Sequence, residues 1–173
     1  MRRHVMLGGV SLAAAMALSN CTDKVGIEVS ERFAATLSAA NERPVPDSST
    51  ATGTASFTYL SDIGSIFYRI DVAGIDSVSA AHIHAPADTG QSIGVVINLF
   101  TGPNATKIGF TGTLAQGILG ELGAPNGMTM DSLLVLLRNG HAYVNVHTRG
   151  PLNATTKSGN HPAGEIRGQI VKQ

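Results

Sequence analysis

The apolar residues of this chain fall in short runs in which every second residue is apolar, and turn-forming residues interrupt these runs. In the clearest run, at 65–72, one face would carry Ile66, Tyr68, Ile70 and Val72. A period of two residues is typical of a β-strand with one buried face, because successive side chains in a strand point to opposite sides. The pattern therefore predicts a sheet rather than a helical core.

Seven further segments are predicted as strands, and most of them are bounded by Gly, Pro, Asn or Asp. They are 32–39, 51–60, 78–84, 94–100, 107–114, 142–147 and 164–171. Gly accounts for 20 of the 173 residues and charged residues for 14%, which disfavours long charged helices. Short strands joined by such turns predict an all-β fold, either an antiparallel β-sandwich or a barrel.

One segment departs from the alternation. Residues 130–139 place four leucines at helical spacing, Leu133, Leu134, Leu136 and Leu137. Thr129 or Asp131 is suited to cap the start of a helix, and Gly140 stands where a helix commonly ends. We therefore predict one short helix that lies over an open end of the sandwich.

The first 21 residues have the organisation of a signal peptide. Arg2 and Arg3 form a positive start, and residues 5–18 form an apolar stretch that is too short to span a bilayer comfortably. The stretch ends in Leu18-Ser-Asn-Cys21, which resembles the bacterial lipoprotein box, although Gly, Ala or Ser is more usual than Asn before the cysteine. We predict a lipid on Cys21 that anchors the chain to a membrane. The alternative is ordinary signal cleavage after Ala17.

These features divide the chain into a signal peptide at 1–21, a tether at 22–30 and one domain at 31–173. The predicted location is the outer membrane or cell surface for a lipoprotein, because Thr22 rather than Asp follows the cysteine. Without the lipid, the chain is expected to be periplasmic or secreted.

Cysteine content and charge exclude several classes of protein. Cys21 is the only cysteine, so no disulfide can form within the chain, and the domain must be held by its core or by its core and a bound ion. The 12 basic and 12 acidic residues are balanced and scattered, which excludes a clustered basic surface for nucleic acid. No nucleophile elbow, phosphate-binding loop, dinucleotide fingerprint or H-E-x-x-H sequence is present.

Three histidines are candidate metal ligands. His82 and His84 are two residues apart in a predicted strand, so both would lie on one face while Ile83 points into the core. His147 ends another predicted strand, and three imidazoles from neighbouring strands would form a site for Cu or Zn with an open fourth position. His161, in the following loop, is an additional candidate. The alternative is a structural cluster in which the histidines bind backbone carbonyls without a metal.

Other polar residues are expected to support this cluster or the fold. Glu165 and Arg167 are two residues apart in the last predicted strand, where they could form an ion pair or clamp a neighbouring loop. Arg167 could also support the histidines. Asn145 shares a predicted face with His147 and is expected to bind a turn backbone.

Three stretches together resemble the CHRD (chordin-type) domain family. They are Ala80-Ala-His-Ile-His-Ala-Pro-Ala87, Leu133-Leu-Val-Leu-Leu-Arg-Asn-Gly-His-Ala-Tyr-Val-Asn-Val-His-Thr148 and Pro162-Ala-Gly-Glu-Ile-Arg-Gly-Gln169. Ala85 stands where the family usually has Gly. The resemblance implies an immunoglobulin-like or Cu,Zn-dismutase-like Greek-key sandwich in an extracellular or envelope setting, and it implies no settled activity.

Two functions follow as expectations. The first is a lipid-anchored or secreted envelope module that binds an extracytoplasmic protein or glycan, or has a structural role, with a histidine metal site. The second is a copper- or zinc-binding metalloprotein with redox, dismutase-like activity or a role in metal handling.

Overall fold

The computed structural model describes residues 29–104, 108–120 and 128–173. The predicted signal peptide, Cys21 and most of the tether therefore lie outside the described residues. Among the helices of the described part, none is both long and apolar enough to cross a membrane.

The described part contains nine strands, one α-helix and two short 3-10 helices. The strands are β1 (Val29–Ser38), β2 (Thr52–Leu60), β3 (Ser65–Ile75), β4 (Val78–His84), β5 (Val95–Asn104), β6 (Phe110–Leu119), β7 (Tyr143–Thr148), β8 (Ile166–Gln169) and β9 (Val171–Lys172). The helix α1 spans Met130–Arg138, and the 3-10 helices span Ala39–Asn41 and Ser61–Ile63.

Eight strands form one continuous antiparallel path in the order β5-β4-β7-β8-β1-β2-β3-β6, and β9 pairs with β1. This path consists of two half-sheets, β5-β4-β7-β8 and β1-β2-β3-β6. They join through a single β1–β8 pair, Ser38 with Arg167. At the other side β5 contacts β6, and the Tyr68 hydroxyl donates to the carbonyl oxygen of Leu99 at 2.8 Å. The sheet is therefore nearly closed and barrel-like. The predicted all-β antiparallel class with one helix is confirmed.

The core fills the space between the two halves. Ile66, Ile70 and Val72 of β3 are at most 3% exposed, as the alternation predicts, and Ile83 and Val144 from the other half are fully buried. These residues belong to one cluster of packed apolar side chains. Their outward-facing neighbours on β4 and β7 are then placed together on the opposite face of the half-sheet.

Several predicted strands are shifted by a few residues at their ends, and two predictions need a larger correction. The segment predicted at 107–114 forms a strand only from Phe110 and continues to Leu119; Gly109, directly before it, has a φ of +63°. The segment predicted at 164–171 is split into β8 and β9, and between them the amide of Ile170 donates to the carbonyl oxygen of Ala142 at 2.8 Å.

The predicted helix is present. Thr129 caps it, because its side chain accepts a hydrogen bond from the amide of Ser132. Leu133, Leu134 and Leu137 are buried in the core. The chain leaves the helix through Gly140, at a φ of +69°, and enters β7.

Candidate metal centre

The two strands that carry the candidate ligands lie side by side. β4 pairs with β7 in an antiparallel register that sets His82 opposite Asn145 and His84 opposite Tyr143. Ile83 and Val144 point into the core, so the side chains that alternate with them project to the outer face of the half-sheet. His147 reaches this face from the end of β7.

The structure brings His82, His84 and His147 together. One nitrogen from each ring lies within 4.8 Å of the nitrogens of the other two. The ring centroids of His82 and His147 are 4.8 Å apart, and that of His84 lies 5.7 Å from His82 and 5.9 Å from His147. This is the group of residues that the sequence analysis selected.

Backbone carbonyls fix the protonation of two of these rings. Nδ1 of His84 lies 2.7 Å from the carbonyl oxygen of Ile93, and Nδ1 of His147 lies 3.1 Å from that of Pro162. Because a carbonyl oxygen only accepts, each Nδ1 carries the hydrogen and each Nε2 presents a lone pair. Both Nε2 atoms are buried and have no hydrogen-bond partner among the described residues, and the same holds for Nδ1 of His82.

All three rings have a lowered pKa, which favours their neutral form at pH 7. Burial, together with the smaller effects of the neighbouring His147 and His84, lowers the pKa of His82 from 6.5 to about 4. Burial also lowers the pKa of His84 and His147, although their hydrogen bonds to the backbone oppose this effect. Neutral imidazole is the form that binds a metal ion.

Tyr143 links the cluster to the neighbouring strand β8. Its ring is stacked on that of His84, with centroids 4.8 Å apart and an angle of 2° between the planes. The guanidinium carbon of Arg167 lies 3.5 Å from the centroid of the same ring. The Tyr143 hydroxyl accepts from the amide of Ile93, whose carbonyl oxygen receives the His84 hydrogen bond. Arg167 thus supports the cluster through Tyr143, which the sequence analysis did not select.

Unsatisfied polar atoms are concentrated on this face. Six buried side-chain atoms in the described part lack a hydrogen-bond partner: His82 Nδ1, His84 Nε2, His147 Nε2, Asn145 Oδ1, Gln169 Oε1 and Glu42 Oε1. Five of them belong to β4, β7 and β8, and the sixth belongs to a loop residue that contacts Asn145. Because buried polar atoms in proteins are normally paired, this concentration is typical of a binding site.

Glu42 is a residue of this face that the sequence analysis missed. Its side chain is buried, and Oε2 accepts a hydrogen bond of 3.3 Å from Nδ2 of Asn145. Burial raises the pKa of Glu42 to about 7, although Asn145 and Arg167 act in the opposite direction. An acidic residue in a Pro-rich loop is usually solvated, so the sequence contained no signal for it. The expected turn-backbone partner of Asn145 is wrong, because its partner is this carboxyl group.

Glu165 clamps two loops and does not pair with Arg167. It is fully buried, and its two oxygens accept hydrogen bonds from the Ser49 hydroxyl at 2.7 Å, the Thr148 hydroxyl at 2.6 Å and the amide of Gly159 at 3.0 Å. Of the two roles that the sequence analysis left open for Glu165, the structure favours the loop clamp.

His161 and His141 lie outside the cluster. His161 pairs through Nδ1 with Asp47, and its Nε2 donates to the carbonyl oxygen of Lys157 at 2.5 Å, so neither ring nitrogen is left to bind a metal. His141 lies 3.3 Å from the carboxylate of Asp88, with its side chain half exposed. The structure thus separates both residues from the group formed by the other three.

Residues 33–170 match the family model of the CHRD domain. The chain belongs to the CHRD domain family. A search of the curated proteins found no match. Membership supports a binding or structural module.

The three motif segments of this CHRD domain meet in one half-sheet. The first segment includes β4 from Ala80 onward, the second includes α1 from Leu133 onward and all of β7, and the third contains β8. In the sheet β4, β7 and β8 are neighbours. The most recognisable parts of the sequence therefore build the face that carries the histidines.

Proposed function

We propose that this CHRD domain is an exported module that binds one Cu or Zn ion through His82, His84 and His147. Two observations carry the proposal. One ring nitrogen from each histidine lies within 4.8 Å of the other two, and each ring has one buried nitrogen without a hydrogen-bond partner among the described residues. Imidazole nitrogen suits both metals, and a site with three protein ligands leaves a fourth position for water or another ligand.

The hydrogen bonds around the rings support the metal over a purely structural cluster. Metal-binding histidines commonly donate their second ring N–H to a backbone carbonyl, as His84 does to Ile93 and His147 to Pro162. A structural cluster would pair the remaining nitrogens as well, since each unsatisfied buried group costs about 1–3 kcal/mol.

The spacing is close to that of a ligand set. Tetrahedral zinc at about 2.0–2.1 Å from each nitrogen holds the nitrogens roughly 3.4 Å apart. The separations in the structure are at most 4.8 Å, so they would have to shorten by up to about 1.4 Å when an ion binds. His82 and His147 are only partly buried, which leaves the ion a route from solvent.

The test is metal stoichiometry in the full chain. The chain is purified in detergent from the envelope of expressing cells, stripped with a chelator, loaded with Zn(II) or Cu(II), dialysed and analysed for bound metal. We expect one ion per wild-type chain and none in the double variant His82→Gln, His147→Gln. Cu(II)-loaded protein should also show nitrogen splitting in its electron paramagnetic resonance spectrum.

His141→Gln is the matched control, because it removes an imidazole outside the cluster. It should bind as much metal as the wild type. Equal stoichiometry in the double variant and the wild type, or no retained metal in any of the proteins, would refute the proposed function.

The same proposal places the domain outside the cytoplasm, with a lipid on Cys21 holding it to the outer membrane or cell surface. Its support is the positive, apolar and lipobox-like order of residues 1–21. Labelled palmitate should enter the wild type and be absent from Cys21→Ser. If Cys21→Ser incorporates label, or the wild type does not, the anchor is wrong and cleavage after Ala17 takes its place.

A further inference from the structure

A second site lies beside the histidine face, on the far side of Tyr143. A cavity of about 90 Å³ is lined by Asn41, Arg43, Thr89, Arg167 and Gln169. Two of the five lining residues are arginines, and none is acidic. The cavity has room for several water molecules or for one small ion.

Arg167 is a buried cation that forms no direct ion pair within the described residues. It is 2% exposed, and its described hydrogen bond runs from Nη2 to the carbonyl oxygen of Asp88 at 3.2 Å. Its guanidinium also lies over the ring of Tyr143. Arginine keeps its charge in proteins, and a buried charge without a counterion is unfavourable by several kcal/mol.

Arg43 brings a second positive charge to the same cavity. Its Nη1 donates to the carbonyl oxygens of Ala40 and Glu42, at 3.3 and 2.7 Å, so these contacts do not neutralise it. Burial is the largest cause that lowers the pKa of Arg167; Tyr143 and Glu42 raise this pKa, and Arg43 lowers it by a smaller amount. Both arginines line the same cavity.

The nearby carboxyl groups form no direct ion pair with either arginine. In the described ranges, no carboxylate oxygen lies within 4.0 Å of a nitrogen of either guanidinium. Asp47 pairs with His161, and the exposed Asp88 faces His141. The carboxyl group of Glu42 accepts a hydrogen bond from Asn145 and interacts with Arg167 only through its charge, and burial, which raises its pKa to about 7, disfavours that charged form.

We infer that Arg43 and Arg167 form an anion-binding site for a small oxyanion group, either a carboxylate or a phosphate or sulfate group. The planar, multi-donor guanidinium matches the geometry of these groups. The hydroxyl of Thr89, at the rim of the cavity, can add a hydrogen bond from an uncharged side chain. This site goes beyond the proposed metal function, because none of its residues is a proposed metal ligand.

The test is titration of the chelator-treated full chain with phosphate, sulfate and acetate at low ionic strength, followed by calorimetry. We expect saturable binding of at least one anion at one site per chain. The relative affinities show whether a tetrahedral or a carboxylate group is preferred. Binding should weaken roughly tenfold or more in Arg43→Gln, since a charged hydrogen bond contributes about 1.5–3 kcal/mol.

Arg43→Gln is the main variant because Arg43 is only partly buried and its loss leaves the core intact. Arg167→Lys keeps the charge but loses the planar donor set, and it should also bind more weakly. Arg69→Gln is the matched control, because Arg69 is exposed and pairs with Asp71 on β3. It should bind the anion like the wild type.

The metal proposal and this inference can fail separately. His82→Gln, His147→Gln should keep anion binding while it loses the metal. No saturable binding of any of the three anions, or equal binding in Arg43→Gln and the wild type, would overturn the anion site.

Discussion

Two buried polar clusters lie along β7, and they differ in how completely their atoms are hydrogen-bonded. At Glu165 both carboxylate oxygens have donors, supplied by Ser49, Thr148 and Gly159. At the histidine cluster one nitrogen of each ring has no partner in the described part of the chain. Both clusters belong to the motif segments of the CHRD family, so membership alone does not tell them apart.

The difference separates a structural role from a binding role. A satisfied buried carboxylate holds loops in place and has no capacity left for a ligand. Unsatisfied, converging nitrogens retain that capacity, and they lower stability until a ligand satisfies them. The Glu165 cluster should therefore govern folding and the histidine cluster should govern binding.

The largest effect is expected at Glu165. Glu165→Ala leaves three buried donors unpaired and should lower the free energy of unfolding by about 4 kcal/mol. Urea unfolding of the metal-free protein measures this, and Glu165→Gln, which keeps one acceptor, should lose less. A loss of unfolding free energy below about 1 kcal/mol would show that the Glu165 cluster does not have the structural role assigned to it.

The opposite behaviour is expected at His82. His82→Gln should raise the dissociation constant for Zn(II) roughly 100-fold, because a ligand is lost. It should change the stability of the metal-free protein by less than about 1 kcal/mol, because Nδ1 has no hydrogen bond to lose. Competition with a chromophoric chelator and urea unfolding give the two numbers. A large loss of metal-free stability with unchanged affinity would reverse the assignment of the two clusters.

Substitution of Glu42 tests whether the buried polar atoms without hydrogen-bond partners on the histidine face lower the stability of the folded protein. Burial raises its pKa to about 7 in the folded protein, above the ordinary value of 4.5. Its contribution to stability is therefore fully present below about pH 4.5 and is lost as the pH rises through 7. Glu42→Gln should remove this dependence and be more stable than the wild type at about pH 8, by about 2 kcal/mol. Urea unfolding midpoints of the two proteins, measured from pH 4 to 8, test this prediction. A difference between the two midpoints that stays constant with pH would contradict it.

Glu31, in an ion-pair network with two half-exposed partners, provides the counterpart to Glu42 and the smallest effect. Hydrogen bonds from Arg138 and Lys172 lower the pKa of Glu31 to about 2. Its contribution is present above about pH 4.5 and is lost as the pH falls towards 2, the reverse of Glu42. Because both partners are half exposed, Glu31→Gln should cost about 1 kcal/mol or less at pH 7. Urea unfolding of Glu31→Gln over the same kind of pH series measures this loss of stability. A loss that becomes larger as the pH falls would contradict the predicted direction of the pH dependence.

Local patterns were sufficient for most of the fold and for the three histidines. The period of two placed Ile83 and Val144 in the core, and their alternating neighbours had to face the other way. The leucine spacing at 130–139 predicted the helix, and Gly140 predicted its end. The start of β6 was not predicted, because Gly109 adopts a positive φ just before the strand and the backbone angle of a glycine cannot be read from the residue type alone.

The sequence by itself determined the all-β class, the single helix and the residues that share a face, because these depend on side chains only a few positions apart. The tertiary structure alone decided the partners across the chain. It set β4 beside β7 and buried Glu42 against Asn145. It also placed Arg43 and Arg167 at one cavity, and it paired His161 with Asp47. These contacts join residues that are far apart in sequence, and they depend on how the half-sheets close and where the loops fold back over them, which no local period encodes.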